Sequence, residues 1–495
     1  MPRLDLLLVN PGNREQIYQA LGPTLTAIEP PIWAGLIATF IRNNGFSVRI
    51  VDAEAETLSP EETAERIAAL DPVLTTIVVY GHQPSASTQN MTAAGEVCTA
   101  VKRKAPGLKM LLVGGHVSAL PERTLLEEDA DFVCVGEGPY TILELLKALK
   151  ANRSDHYGDV KGLWYRNNGS ARSNPPAPLI KSLDKELPGI AWDLLPMEKY
   201  RAHNWHSFSN VNKRQPYASF YTTLGCPYAC TFCCINAPFG GSGYRKWSPQ
   251  AVVGWIDTLV TKYGVRNIKI ADEMFVLNMT HVTGICDAII ERGYDLNIWA
   301  YARVDTVQER ILDKLKRAGF NWLALGIESG SEHVRDGAQK KFGQDDIQNT
   351  VERIKAAGIN VIGNFIFGLP DDDMETMQAT LDMALDLNCE FPNFYSAMAY
   401  PGSRLYDMAI QEGWQLPEKW SGYSQHAVDT LPLPTKFVSA AEVLRFRDNA
   451  FQIYCNNPKY LDLVARKFGA ETAGQIREMA RHKLARKHAE SVTER

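Results

Sequence analysis

The sequence predicts an α/β protein: a doubly wound domain over residues 1–145, a linker and packing segment over 146–214, a partial (β/α)6 barrel over 215–420 and a helical region over 421–495. Three observations carry this. Short apolar runs alternate with helical stretches through the first part and again from Pro216, the signature of buried parallel strands with crossover helices. The rhythm breaks between those parts, and it is absent from the last 75 residues. A chain of 495 residues also exceeds what one hydrophobic core usually supports.

In the first domain the strands are LDLLLVN, VRIVDAE, TTIVVY, KMLLVGG and DFVCVGEG. Helices are expected at Trp33 to Asn43, at Pro60 to Leu70 behind a Ser59 cap, and at Thr88 to Lys104. The loops after the strands read NPGN (10–13), YGHQPS (80–85), GGHVSALPE (114–122) and GEGP (136–139), and in a doubly wound sheet they line one ligand crevice at the carboxyl edge. In the 146–214 segment, GLWYRNNGSARS predicts a hairpin turning at Asn168-Gly169, followed by the Pro-rich NPPAPLI. The second unit has YASFYTTLG, NIKIADEMF, LNIWAYARV, WLALGIESG, INVIGNFIFG and FPNFYSAMAY as strands, with helices such as Pro249 to Tyr263 and Gln308 to Ala318 between them. The C-terminal region ends in a charged helix, QIREMARHKLARKHAE.

Apolar residues at 45 % and charged residues at 22 %, with a net charge of −5, are ordinary for a globular protein and give no electrostatic reason to expect nucleic acid or an anionic membrane surface as partner. The basic run Arg477, Arg481, Lys483, Arg486 and Lys487 reads as a solvated helix face. No apolar run approaches the ~18 residues of a membrane span, and the N-terminus reads as a strand rather than a signal. Cys98, Cys134, Cys286, Cys389 and Cys455 are scattered among apolar neighbours, which suits a reducing, cytoplasmic setting.

Four of the nine cysteines fall in GCPYACTFCC, Gly225 to Cys234. Cys226, Cys230 and Cys233 stand in a C-x3-C-x2-C spacing that suits one soft metal site, zinc or iron–sulfur. Structural zinc wants four ligands, and no second C-x2-C or H-x3-H follows. Cys234 is a poor fourth ligand, since adjacent side chains in an extended turn diverge. Three thiolates and a missing fourth suit a cubane with one iron left open.

This motif, with Phe232 before its last cysteine, resembles the defining motif of radical S-adenosylmethionine (SAM) enzymes. The resemblance implies a [4Fe–4S] cluster held by Cys226, Cys230 and Cys233, with SAM chelating the fourth iron. It further implies SAM contacts from Asp272 and Glu273 at the second strand's end, from Arg303 at the third, from Glu328 and Ser329 at the fourth, and from Gly363, Asn364 and Gly368 at the fifth. Each has a second reading: Arg303 and Glu328 as an ion pair across the barrel mouth, Asp272 and Glu273 as helix caps, the glycines as points of close backbone packing.

A doubly wound sheet ahead of such a barrel resembles the cobalamin-binding domain of one class of these enzymes, so the likeness spans roughly residues 1–420. It implies a corrin bounded by Asn10, Pro11 and Gly12, by His82, by Gly114, Gly115 and His116, and by Gly136, Glu137 and Gly138. The D-x-H-x-x-G signature that donates histidine to cobalt elsewhere is absent, so His82 and His116 read as polar loop residues rather than as cobalt ligands. No G-x-G-x-x-G follows the first strand to support a nucleotide site instead.

The activity implied is reductive cleavage of SAM to a 5′-deoxyadenosyl radical, with methylation of an unactivated carbon of a small molecule through methylcobalamin, and a flavodoxin or ferredoxin as reductant. Cyclisation, rearrangement or oxidation without methyl transfer is the alternative on the same architecture. A metal-bound sensor is a further one. A tRNA methylthiolating enzyme would need an N-terminal cysteine trio, and only Cys98 and Cys134 precede the loop. His203, Trp205 and His206 in AHNWH are compatible with either a cavity wall or linker packing.

Overall fold

The computed structural model describes residues 3–12, 17–19, 26–151, 154–167, 169–210 and 213–489. Asn13 of the first crevice loop and Asn168 of the predicted hairpin turn lie outside the described residues.

Seven strands form the first sheet: β1 (Leu6–Asn10), β2 (Val48–Asp52), β3 (Leu74–Val78), β4 (Met110–Val113), β5 (Phe132–Cys134), β6 (Leu163–Asn167) and β7 (Ser170–Ser173), in the order β2-β1-β3-β4-β5-β6-β7. The first five run parallel, and β6 and β7 add antiparallel. Residues 163–173, expected in the linker, therefore extend the first sheet. An alternating hairpin that follows a helix can pair with the free edge of β5, and pairing satisfies backbone groups that a linker would leave to water. Leu7 and Val9 pack into one hydrophobic cluster, while Leu6 and Leu8 point the other way into a core continuous with the barrel's. Burial on both faces is why these strands read as unbroken apolar runs.

The Ser59 cap is present as a reciprocal capping box with Glu62. Helix Thr88 to Lys104 is instead two helices, Ala86–Gln89 and Met91–Lys104, meeting at Asn90.

The second sheet contains β8 (Tyr217–Phe220), β11 (Asn267–Ile270), β12 (Asn297–Arg303), β13 (Phe320–Glu328), β14 (Asn360–Phe367) and β15 (Phe391–Ser396), all parallel and adjacent in chain order, as in a curled partial barrel. A two-stranded ribbon, β9 (Thr223–Leu224) with β10 (Arg245–Lys246), pinches the ends of the cysteine loop. Gly225 is needed there: its φ is +83°, and a Cβ would stand 2.7 Å from the Gly243 carbonyl oxygen.

The two units are tied by buried charge. Lys269, on β11, bonds both oxygens of Glu29 at 3.2 and 3.1 Å and the His82 carbonyl at 3.0 Å. Glu137 receives Arg245 at 2.7 Å and the Ile180 amide at 2.7 Å.

The charged C-terminal helix stops at Arg481. Beyond it the chain turns back, with the Lys487 amide on the Val428 carbonyl at 2.8 Å, and Arg486 plugs inward onto Asp448, Thr430 and the Gln425 and Ala427 carbonyls. Arg486 thus leaves the solvated face assigned to it for the half-buried Asp448 carboxylate.

Candidate active site

Cys226, Cys230 and Cys233 line one cavity of about 270 Å³ at the mouth of the barrel. Their loop is pinned by the Thr231 amide on the Ala338 carbonyl (3.3 Å) and by the Leu405 amide on the Thr231 carbonyl (2.8 Å), so it belongs to the barrel rather than to solvent. Burial pushes the Cys226 thiol up to about 11 and Cys233 well above the usual thiol range. Such thiols lose their protons to a metal rather than to water. Among the described residues no three His, Cys, Asp or Glu side chains converge as a single-ion site. A cubane offers a separate iron to each sulfur, so its ligands need not meet at a point, and this donor set fits it better than zinc.

Four of the side chains named from the sequence surround the same cavity: Glu273, Arg303, Glu328 and Asn364. Glu273 has no hydrogen-bond or ion-pair partner among the described residues, and burial pushes its carboxyl up to about 8. Near neutral pH it is a protonated acid facing the cavity. Arg303 lies 4.1 Å over the Tyr228 ring, with Nη1 3.8 Å from the Cys230 sulfur, and is held by Asp305 at 2.9 and 3.1 Å. Glu328 pairs with Lys340, not with Arg303, and has φ +70° at a bulge in β13. A non-glycine residue in that region is strained and is held there by its surroundings.

The other named residues do not line it. The Asp272 carboxylate accepts from the Thr222 amide (2.5 Å), the Thr223 amide (3.0 Å) and the Thr222 hydroxyl (2.5 Å), bracing the base of the cysteine ribbon. Neither acid caps the next helix, which is capped by Asn278. Ser329 turns away to Thr380 at 3.1 Å. Gly363 follows from strand parity: Ile362, Asn364 and Ile366 face the barrel interior, so Gly363 faces the helices, its absent Cβ filled by Phe365 and Cys389. Gly368 sits against Val443, where a Cβ would approach to 2.5 Å.

Sequence reasoning missed Tyr301, Tyr395, Tyr400, Gln425 and Lys340 on this cavity. Parity was the available signal for one of them. Tyr301 stands two residues before Arg303 on β12 and so shares its face.

At the first sheet's edge the named residues are mostly spent inside the protein. Asn10 donates to Asp52 at 2.7 Å, while the Gly12 position closes on Ala53. Gly114 packs on the Val79 carbonyl. His116 is buried, 3.2 Å from the Thr88 hydroxyl and edge-on to Trp420, and burial pushes it down to about 3. Glu137 is the interdomain strut, flanked by Gly136 and Gly138 at φ +106°. Asn10, Pro11 and His82 do line a crevice of about 80 Å³ beside Trp33 and Tyr80, which stack at 4.3 Å, and Gly115 lines a second of about 30 Å³.

These crevices alone are below the 300 Å³ or so of a cofactor site. The first shares Tyr18, Thr26, His82, Gln89 and His203 with a cavity of about 620 Å³ that runs through the barrel to the C-terminal helices. The adjoining cavities and the flat Trp33–Tyr80 wall fit a macrocycle. That cavity in turn shares Gln83, Ser85, Tyr301, Tyr395, Tyr400 and Gln425 with the cysteine cavity. His203 and Trp205 are part of its wall, stacked at 5.5 Å, whereas His206 packs on the Asn297 carbonyl at 2.9 Å.

Comparison with known proteins agrees with this arrangement. Residues 220–384 match the model of the radical SAM superfamily and residues 18–146 that of the B12 binding domain. An uncharacterized methyltransferase of Pyrococcus horikoshii is 30% identical over 462 residues, covering 93% of this chain and 94% of that one. The anaerobic magnesium-protoporphyrin IX monomethyl ester cyclase of Rubrivivax gelatinosus is 27% identical over 410 residues, covering 81% and 69%. In fold, the radical SAM methyltransferase TsrM of Kitasatospora setae, solved with cobalamin and a [4Fe–4S] cluster bound, superposes with a TM-score of 0.68 at 18% identity, covering 97% of this chain and 100% of that one. No helix among the described residues is long and apolar enough to cross a membrane. The chain belongs to the radical SAM superfamily, in the group whose barrel follows a B12 binding domain.

Proposed function

We propose that the protein is a cobalamin-dependent radical SAM methyltransferase that acts on an unactivated carbon of a small molecule. One observation carries the reading: the large cavity lies against both the first sheet's crevice and the cysteine cavity, sharing wall residues with each. A substrate held in the middle would have access to both cofactor sites.

When bound, the cluster would supply the electron that breaks the sulfonium bond, SAM the radical and the methyl group, and the corrin the means of carrying that methyl. Cys226, Cys230 and Cys233 would hold the cluster. Arg303, fixed by Asp305, offers a guanidinium to a carboxylate, the protonated Glu273 offers a hydrogen-bond donor, and the Glu328–Lys340 pair with Asn364 lies where a ribose would meet the barrel wall. Tyr301, Tyr395 and Tyr400 line the space with bulky rings that would exclude water from it. On the corrin side the bounding residues would be Asn10, Pro11, Trp33, Tyr80 and His82. A low-potential reductant such as a flavodoxin or ferredoxin would deliver the electrons.

Anaerobic turnover with methyl-labelled SAM, reductant and a small-molecule extract tests this: label is expected in a product together with 5′-deoxyadenosine. Deoxyadenosine without label transfer would favour the non-methylating alternative, to which the similarity with the Rubrivivax cyclase lends weight.

A further inference from the structure

We infer that the substrate carries a carboxylate or phosphate at one end of a flat, apolar body, and that this anionic end is held by the C-terminal region; the inference rests on the function proposed above. The chain as a whole is acidic, with net charge −5. The cavity of about 620 Å³ is lined by Lys269, Arg445, Arg447, Lys483 and Arg486 and, among the described residues, by one acid, Asp448.

The charges do not cancel. Lys269 is satisfied by Glu29 from outside the cavity. Arg447 and Arg486 share the single Asp448 carboxylate, at 2.7 Å and at 2.9 Å, leaving one positive charge over. Arg445 bonds the Ala489 carbonyl, at 2.5 Å, and feels the exposed Glu442 only at longer range, and Lys483 is exposed; neither has a carboxylate at ion-pair distance among the described residues. His426 adds no charge, because burial, Arg447 and Arg486 hold it well below its usual range.

The buried Arg447 and Arg486, with one carboxylate between them, are completed by a ligand of opposite sign, and the half-buried Arg445 and exposed Lys483 extend the same positive wall. Guanidinium groups suit carboxylate and phosphate oxygens because they donate in a planar fork. Beside amides such as Asn204, Asn393 and Gln452, the wall carries the aromatic faces of Trp299, Phe391, Phe394 and Tyr395, which suit a flat body. All four of these cations come from helix Ala440–Cys455 and the segment after Arg481, so the C-terminal region supplies the wall that meets the anion.

The test is calorimetric titration of the reconstituted, cobalamin-loaded protein with three aromatic probes of similar size: indole-3-propionate, 1-naphthyl phosphate and tryptamine. At least one of the two anions is expected to bind about tenfold or more tightly than the amine. The tighter anion identifies the group the site prefers. An Arg445→Gln, Lys483→Gln double variant, whose two side chains make one backbone bond between them, is expected to lose that preference while keeping the wild-type unfolding midpoint. Equal binding or preference for the amine, no binding of any probe up to about 10 mM, or an unaltered preference in the double variant would overturn the inference. So would displacement of the anions from cobalamin-free protein by hydroxocobalamin, which would assign the cations to the cofactor's own phosphodiester. Reductive SAM cleavage by the wild-type protein is recorded separately. Its failure would strike the proposed function and leave the charge preference standing.

Discussion

The barrel mouth and the carboxyl edge of the first sheet are built alike and used differently. Both are rings of loops that follow parallel strands. At the barrel mouth three thiols and the side chains of Glu273, Arg303, Glu328 and Asn364 face one cavity, and Glu273 has no partner among the described residues. At the first sheet's edge Asn10, His116 and Glu137 are bonded to the protein itself, and Gly12 and Gly114 are closed over by Ala53 and Val79. One edge offers ligand chemistry from side chains; the other offers shape, and its polar groups brace the fold.

The sharpest way to break that contrast is Cys230→Ala. Iron is expected to fall from about four per chain, the content of a cubane, to a trace, and SAM cleavage with it; iron analysis after anaerobic reconstitution reads this directly. The next effect is at the junction. Lys269→Met leaves Glu29 buried without its cation, and an uncompensated buried charge costs about 3–5 kcal/mol. Urea unfolding should show that loss, and a loss under about 1 kcal/mol would mean that water reaches Glu29.

At the first sheet's edge the expected effects are on stability. His116 titrates near 3 in the folded chain and near 6.5 when unfolded, so its contribution is present above pH 6.5 and is lost as pH falls towards 3. At pH 5 the unfolded chain gains about 2 kcal/mol from this one ring. His116→Phe should therefore shrink the drop in unfolding free energy between pH 7 and pH 5 by about that amount, with cobalamin binding unchanged. Weaker binding in that variant would mean that the ring serves the cofactor after all. Smallest is Ser59→Ala, which removes a capping box and should cost about 1 kcal/mol with iron content unaffected.

The same contrast explains what could be read from the sequence. The strands of both sheets were legible because burial on two faces writes them as continuous apolar runs. The thiol trio was legible because its chemistry needs those atoms at that spacing. Asp272 and Glu273 are adjacent and alike in sequence, yet one faces Thr222 and the other the cavity, and only the local turn decides which. Gly363 was misassigned because a one-residue shift along a strand reverses its face. Arg486 looked like part of a solvated basic helix because its partner, Asp448, is 38 residues away along the chain. The edge strands β6 and β7 read as a linker because nothing in an isolated hairpin says which sheet edge it will join.

The account's central claim is that three thiols leave one iron open to SAM. It is tested most directly by electron–nuclear double resonance on the reduced, reconstituted protein with SAM labelled by 15N in its amino group and 17O in its carboxylate. The account predicts hyperfine coupling from both labels to the cluster. A cluster spectrum that is indifferent to SAM, or one showing a fourth ligand from the protein at the remaining iron, would contradict it.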